Sequence, residues 1–473
     1  MKPRTESGDR EARPLAAIAR ALVLAPFYFV LLTLFAVWPW RFGSPFFLIG
    51  PLRLPEEARR VSILRLVALR LFLRDKRLLQ RRGRRMLRTS RVKWWLLSPW
   101  TRALPGCASL TRREMKQTGR SGAMTAVSMF CDGLVDSYRY ANGTTHLDWF
   151  ELDRRPDGAF HVPREYHIQS CCYVLNHKLN PQMPISQKHY DKAEFEQTCR
   201  RHGLPTVPVY ALFEGGRVKR QAPVPDVPLF SKPADLCEGM GEFVRWTPVA
   251  EPSSEDPHYR ANDGEVKTLD GIFEHLKALS QSGAYLLQRR LFDHEAIRTL
   301  SAAETLCTLR VPTCCFPDRE VRVLPFALFK MPVVRDAVVN TGAKGAVIYP
   351  VELETGRLSA GAVRGKFETI AVQPTSGKMA AGFELPYWNE ALYLCRTAHA
   401  EAFPTFPTVG WDVAVTSDGP FLVEMNIQWL RPTGMPGEEF TGKTAYVDCI
   451  LSYMRQFWPE QLPLPMNSGT ESD

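Results

Sequence analysis

The chain has 473 residues, of which 45% are hydrophobic and 23% charged. That mixture excludes a disordered polymer, and the length exceeds the roughly 250–300 residues at which a single core stops growing, so more than one unit is expected. The formal net charge of +10 is unevenly spread: residues 52–120 carry 20 Lys or Arg against four acidic residues, which leaves the rest of the chain net acidic. The 11 cysteines include no CxxC and form an odd set, which argues against a disulfide framework and for thiols in a reducing compartment.

In chain order, residues 21–40 form an uninterrupted apolar run of twenty residues. As a helix it would reach about 30 Å, the thickness of a bilayer core. Trp38 and Trp40 stand where an interfacial belt would lie, and a shorter apolar run follows at 45–52. Residues 63–88 place Leu64, Val67, Ala68, Leu71 and Phe72 at helical spacing among Arg65, Arg70, Arg74, Arg77 and Arg81. Such a basic amphipathic helix suits an anionic lipid surface. It lacks the aromatic interleaving of a nucleic-acid surface, so no specific nucleic acid is expected. These features predict an anchor at the cytoplasmic membrane, with the body facing the cytoplasm. The predicted divisions are an anchor region at 1–52, a basic helical region at 53–120, a catalytic domain at 121–460 and a tail at 461–473.

The body mixes short strands with separated helices, which predicts α+β with two sub-lobes. Asp191 and Glu194 form a D-x-x-E helix start, closed by Gly203 and Pro205. Strands are predicted at 206–213, 229–232, 285–291, 308–311, 323–329 and 345–353. Helices are predicted at 269–280, 387–400 and 445–457.

Residues 408–429 are the most informative. Two strands, 409–416 and 421–426, flank Ser417-Asp418-Gly419, read as a three-residue hairpin loop. With Thr416 opposite Pro420, Asp412 falls opposite Glu424, and Asn426 shares the face of Glu424. Opposed carboxylates among apolar neighbours call for a cation, and an all-oxygen set suits Mg²⁺. A solvent-facing hairpin and a metal-free acid/base pair are the other readings.

This stretch closes a series of motifs that resembles the sugar-transfer-associated ATP-grasp family over about residues 134–453. In order they are Asp191-Lys192, Ser231-Lys232-Pro233, Gly239-Met240-Gly241, LLQRRLFDH at 286–294, TLCTLRVPT at 305–313, VVNTGAKG at 338–345 and the hairpin. The resemblance implies an ATP-grasp fold whose two sub-lobes clasp the nucleotide. It implies that Lys192 and Lys232 hold ATP, that Gly239 and Gly241 belong to a loop over the phosphates, and that Gln288, Arg289 and Leu291 form the adenine-facing hinge. His294 and Asn340 fall near the nucleotide or acceptor. Arg310 would contact the transferring phosphoryl group, with Lys232 beside it in catalysis, and Asp412, Glu424 and Asn426 would hold Mg²⁺. Gly342-Ala343-Lys344-Gly345 departs from the family's paired glycines, and Gln373 stands where a His is expected.

The activity implied is an ATP- and Mg²⁺-dependent ligase. It would join a carboxylate to an amine through an acyl phosphate, in surface-polysaccharide or sugar-conjugate modification. A kinase of the same superfamily and a non-catalytic nucleotide-binding membrane scaffold are the alternatives. The expected partners are ATP, the carboxylate and amine, anionic membrane lipids and polysaccharide-synthesis proteins.

Overall fold

The computed structural model describes residues 175–176, 178–182, 190–235, 241–250, 257–340, 346–363, 369–427, 429 and 445–459, together with residue 22. The chain divides into two compact units, 1–186 with 439–473, and 187–438. The described part of the first is chiefly the helix Ala445–Phe457, which buries Tyr446, Val447, Ile450, Leu451 and Met454 along one side. Near its end Tyr453 stacks on Phe457, and Lys178 lies over the Phe457 ring.

The second unit holds two sheets. It opens with helix α1, Lys192–Arg201, whose N-cap Asp191 accepts from the backbone of Ala193 and Glu194. The first sheet comprises β1 (Val209–Glu214), β2 (Arg217–Gln221), β3 (Leu229–Pro233), β4 (Val244–Val249), β5 (His258–Arg260), β6 (Val266–Thr268) and β7 (Tyr285–Arg289), in the order β2-β1-β7-β3-β4-β5-β6. Helix α2 (Leu269–Leu279) packs against it through Ile272, Phe273 and Leu276, joining Phe213, Trp246, Tyr259 and Leu287 in one core.

Helix α3 (Glu295–Ser301) leads into the second sheet: β8 (Thr308–Cys315), β9 (Val321–Val323), β10 (Ala327–Met331), β11 (Val347–Val351), β12 (Ala362–Val363), β13 (Thr408–Thr416) and β14 (Gly419–Asn426). Its order is β12-β11-β10-β8-β13-β14, with β9 beside β8. Between β12 and β13 run helix α4 (Trp388–Thr397) and a single wide π-turn, Ala398–Ala402. The sheets are tied by Arg245 of β4, which donates to Asp336 O at 2.9 Å and meets Glu304 at 3.0 Å. A second tie is Thr206, whose hydroxyl donates to Leu422 O at 3.0 Å.

The α+β architecture with two sub-lobes stands, and most predicted elements fall within a few residues of their places. The strand expected at 323–329 is two strands, β9 and β10, because Leu324 and Phe326 turn in a corner between them. The membrane-anchor part of the expected architecture is corrected. Among the described residues the longest helix has 13 residues, about 20 Å at 1.5 Å per residue and short of a ~30 Å bilayer core. No described helix is long and apolar enough to cross a membrane. The segments that prompted the expectation, 21–40 and 63–88, lie outside the described residues apart from Leu22. The anchor, the basic lipid-binding region, the membrane location and the anionic-lipid partners are therefore withdrawn.

Two buried titratable groups pull stability in opposite directions. His399 lies in the π-turn, where its Nε2–H donates to Phe406 O at 2.8 Å and its Nδ1 accepts from the Thr313 hydroxyl at 2.7 Å. Thr313 in turn accepts from the Trp411 indole at 2.7 Å. Burial lowers His399 to about 4, against a smaller opposing effect of Phe406 O. Asp293 accepts from Cys307 N through both oxygens, at 3.1 and 2.9 Å. Burial raises its carboxyl to about 7 despite those bonds.

The depressed His399 contributes stability that is full above its ordinary 6.5 and is lost as pH falls through about 4. The raised Asp293 contributes stability that is full below its ordinary 3.8 and is lost as pH rises through about 7. Between these limits the two slopes oppose. Replacing Asp293 with Asn should leave the His399 slope uncompensated, so thermal melts should show stability falling more steeply than wild type on acidification from pH 6.5 to 4.

Candidate functional site

The second sheet places its chemistry on one face through register. Asp412 of β13 sits directly opposite Arg310 of β8 on one side and Glu424 of β14 on the other. Asn426 lies two residues beyond Glu424, and Gly410 is its partner. Across β8, Arg310 pairs with Leu328 of β10, so Lys330, two residues further, faces the same way.

The predicted Asp412–Glu424 pairing is present, but the route to it differs. Thr416 pairs with Gly419, not with Pro420, so the hairpin loop is the two residues Ser417 and Asp418. A β-bulge then leaves Val423 as the extra residue between Leu422 and Glu424, and this one-residue slip restores the expected register at the site. Gly419 has φ of +107°, which a residue with a side chain adopts at a cost. Gly410 has a different reason: a Cβ there would stand 2.5 Å from Trp429 Cβ.

Asp412 is compensated from within the protein. Arg310 clasps it with a fork, Nε to Oδ1 at 2.5 Å and Nη2 to Oδ2 at 2.8 Å. Lys330 Nζ adds contacts of 3.2 and 3.3 Å to the same two oxygens. Burial alone would raise the Asp412 carboxyl, but the charges and hydrogen bonds of Arg310 and Lys330 hold it well below the usual carboxylate range. Burial likewise works against the Arg310 guanidinium, and Asp412, with Glu424, outweighs it and raises Arg310 above its ordinary value. Opposed carboxylates on this face therefore do not by themselves demand a metal, because basic side chains balance them.

The first lobe contributes two further cations. Lys192, the first residue of α1, donates from both its backbone N–H and its ammonium to Ala234 O, each at 3.3 Å. Its ammonium is 4.0 Å from Glu424. Lys232 of β3 is buried, and that burial lowers its ammonium to about 8, with Glu424 and Asp412 pulling up and Lys192 pushing down. Glu424 is the more open carboxylate, its side chain 27% exposed against 7% for Asp412. The Asn426 amide donates to Gly410 O at 3.3 Å and reaches Glu424 Oε1 at 3.5 Å. Among the described residues there is no group of three or more His, Cys, Asp or Glu able to hold a metal. An oxygen site here would rest on Glu424, Asp412 and the Asn426 amide.

The other expected residues are dispersed in role. Gln288 is buried in the middle of the first sheet, opposite Val209 and Phe230. The N–H groups of Arg289 and Arg290 are spent on Pro208 O and Pro228 O, at 2.9 and 2.8 Å, and Leu291 follows just beyond the strand. His294 is the N-cap of α3: its Nδ1 accepts from Ala296 N at 3.2 Å, and its backbone N–H donates to Val415 O at 2.8 Å. Asn340 bridges Leu306 O and Lys330 O through its amide nitrogen, at 3.4 and 2.7 Å. Gln373 is fully buried and donates to Pro332 O at 3.0 Å. Gly241 has φ of +87°, while Gly239 and residues 342–345 lie outside the described residues. Lys330 is the residue that sequence reasoning missed, because its place beside Arg310 depends on the pairing of β8 with β10.

Residues 175–439 match the sugar-transfer associated ATP-grasp family. The chain belongs to that family. Membership carries the ATP-grasp character that the family's description names. No curated protein matches the chain. Among solved structures it is similar to the ADP complex of N5-carboxyaminoimidazole ribonucleotide synthetase (10% identity, TM-score 0.29, covering 51% of this chain and 45% of that one). It is also similar to L-amino acid ligase from Bacillus licheniformis (10%, 0.26, 52% and 42%). A third is D-alanine–D-alanine ligase from Bacillus anthracis complexed with ATP (13%, 0.26, 56% and 66%). The chain thus spans less than half the length of the first two, and likeness at this level carries no argument about its substrates.

The ion-pair geometry separates the two carboxylates. Removing the buried Asp412 charge leaves two part-buried cations without their partner, which costs about 3–5 kcal/mol. Glu424, more exposed and 4.0 Å from Lys192, should cost under about 1 kcal/mol. Urea denaturation of Asp412→Asn and Glu424→Gln should show that contrast.

Proposed function

We propose that the family member described here is an ATP- and Mg²⁺-dependent ligase that activates a carboxylate as an acyl phosphate and passes it to an amine, one of the two borne on a sugar conjugate. The observation that carries this reading is the charge of the site. Four cationic side chains, Lys192, Lys232, Arg310 and Lys330, face two carboxylates, Asp412 and Glu424. Such a buried surplus of positive charge from two lobes fits a polyphosphate.

The residues have separable roles. Lys192 and Lys232 would orient the phosphate chain from the first lobe, and Arg310 would face the γ-phosphoryl group, where charge shifts during transfer. Gln288, Arg289 and Leu291 would border the base, and Gly241 would sit in the phosphate-covering loop beside Gly239. His294, as a helix cap, and Asn340, as a bridge between two loops, would shape the surrounding wall. Glu424 and the Asn426 amide are the oxygen donors best placed for Mg²⁺, because Asp412 could join them only by loosening a contact to Arg310 or Lys330. Magnesium, when bound, would neutralise phosphate charge.

In the reaction a carboxylate oxygen bonds to the γ-phosphorus as the bond to the ADP oxygen breaks. The amine nitrogen then bonds to the acyl carbon, phosphate leaves, and one proton is released overall. ADP and phosphate release should therefore require both a carboxylate and an amine. Glu424→Gln should lower turnover at least about 100-fold, equivalent to roughly 3 kcal/mol of transition-state stabilisation, while melting near the wild-type temperature. Purified, folded wild-type protein that binds no Mg-ATP in calorimetry would sink the reading.

A further inference from the structure

Away from the Asp412 cluster, another group of charges is out of balance where the two sheets meet. We propose that Arg245 and Arg290 form a separate oxyanion site, suited to a phosphate dianion, for which the Glu304 carboxylate competes. The inference goes beyond the nucleotide reading of the preceding section and does not depend on it.

The site is built from both sheets. Arg245 lies on β4 opposite Phe230 of β3, and Thr247, two residues later, faces the same way. Arg290, just past the end of β7, reaches that face, where its Nη1 donates to the Thr247 hydroxyl at 3.4 Å. Its guanidinium lies over the Phe292 ring, 4.8 Å from the centroid, which helps to set the plane of the fork. Two loops of the second sheet close the other side. Arg245 Nη2 donates to Asp336 O at 2.9 Å, and Arg290 Nη2 donates to Glu304 O at 3.3 Å. These loops are stitched to each other: Glu304 N donates to Arg335 O at 3.0 Å, and the Thr305 hydroxyl donates to Ala337 O.

The two guanidiniums share one carboxylate. Glu304 Oε2 is 3.0 Å from Arg245 Nη1 and 3.7 Å from Arg290 Nη2. Even so, Arg245 Nη1 is a buried nitrogen that makes no directed hydrogen bond among the described residues. The carboxylate therefore supplies charge without the geometry that a guanidinium fork rewards. Burial is lopsided as well: the Arg245 and Arg290 side chains are 8% and 11% exposed, that of Glu304 63%. A carboxylate so open stays largely solvated and offsets its partners weakly. Burial lowers the Arg290 guanidinium, and the neighbouring Arg245 charge lowers it further, against the pull of Glu304.

A phosphate dianion would match both cations and present oxygens in several directions, one to each fork, whereas a carboxylate holds two oxygens in one plane. Glu304 can give way to it. Its backbone stays bonded to Arg335 O and to Arg290 while its side chain turns into water. One anion replaces another, and no covalent bond changes.

The test is calorimetry on the full-length protein at about pH 8, where a phosphate monoester is a dianion. Inorganic phosphate and methyl phosphate would be titrated, with a non-hydrolysable ATP analogue and Mg²⁺ present throughout to occupy the proposed nucleotide site. Glu304→Gln decides most, because it removes the competing charge from an exposed side chain; phosphate should bind at least about 5-fold more tightly than to wild type. Arg245→Met and Arg290→Met should each weaken phosphate at least about 10-fold, the scale of one lost charge-assisted contact. Methyl phosphate binding as well as phosphate would make the ligand a phosphomonoester, and rejection of methyl phosphate would assign the site to free phosphate. Phosphate affinity that is unchanged or weaker in Glu304→Gln, or indifferent to both arginines, would overturn the site and leave these side chains as a tie between the sheets. Wild type that fails to bind the analogue would overturn the nucleotide reading and leave the phosphate result standing.

Discussion

The Asp412 carboxylate is buried, ionised and shared by two cations on two other strands. A charge placed so deep is tolerable only if its partners arrive in the right place, and that requirement constrains the whole second sheet. Lys330 on β10, Arg310 on β8, Asp412 on β13 and Glu424 on β14 must all point the same way. Side chains alternate along a strand, so a one-residue slip in any pairing would send one of them to the opposite face. The bulge at Val423 shows the constraint at work. The tight turn at Ser417-Asp418 sets one register, the site needs another, and the extra residue reconciles them.

The same charge logic joins the lobes. Lys192 opens α1 and Lys232 lies on β3; Ala234 O and Glu424 offset the first, and Glu424 and Asp412 the second. Arg245, reaching Glu304 and Asp336 O, and Thr206, bonded to Leu422 O, connect the lobes through polar contacts spaced around the site. These are directional links, and each lobe retains its own apolar core, exemplified by Trp246, Tyr259 and Leu276 in the first. That division is compatible with the proposed function, in which a nucleotide would enter between the lobes.

Local pattern made much of this legible. Asp191 with Glu194 marked the start of α1, a stretch apolar but for Asp412 and its terminal threonines marked β13, and helix Ala445–Phe457 followed from its periodicity. The pairing of Asp412 with Glu424 could be reached because hairpin partners are close in sequence and alternate in side. Other elements left little trace. β2, RVKRQ, is an edge strand with largely exposed side chains, and β5 and β6 are three residues each, too short for alternation to show. The apolar run and arginine-rich stretch near the N-terminus carried a strong compositional signal, yet composition alone did not establish a membrane anchor.

The sequence by itself determined the fold class, the family and, Lys330 excepted, the charged residues of the candidate site, since these depend on local periodicity, short-range hairpin geometry and motif order. Only the tertiary structure decided how those charges are balanced. Arg310 and Asp412 are 102 residues apart, and Lys330 and Asp412 are 82 apart. Their contacts depend on β8 lying between β10 and β13, an order of strands that no local pattern encodes. Hence opposed carboxylates that looked, along the chain, as though they required a metal prove to be matched by lysine and arginine, because electrostatic compensation acts through space and is indifferent to distance in sequence.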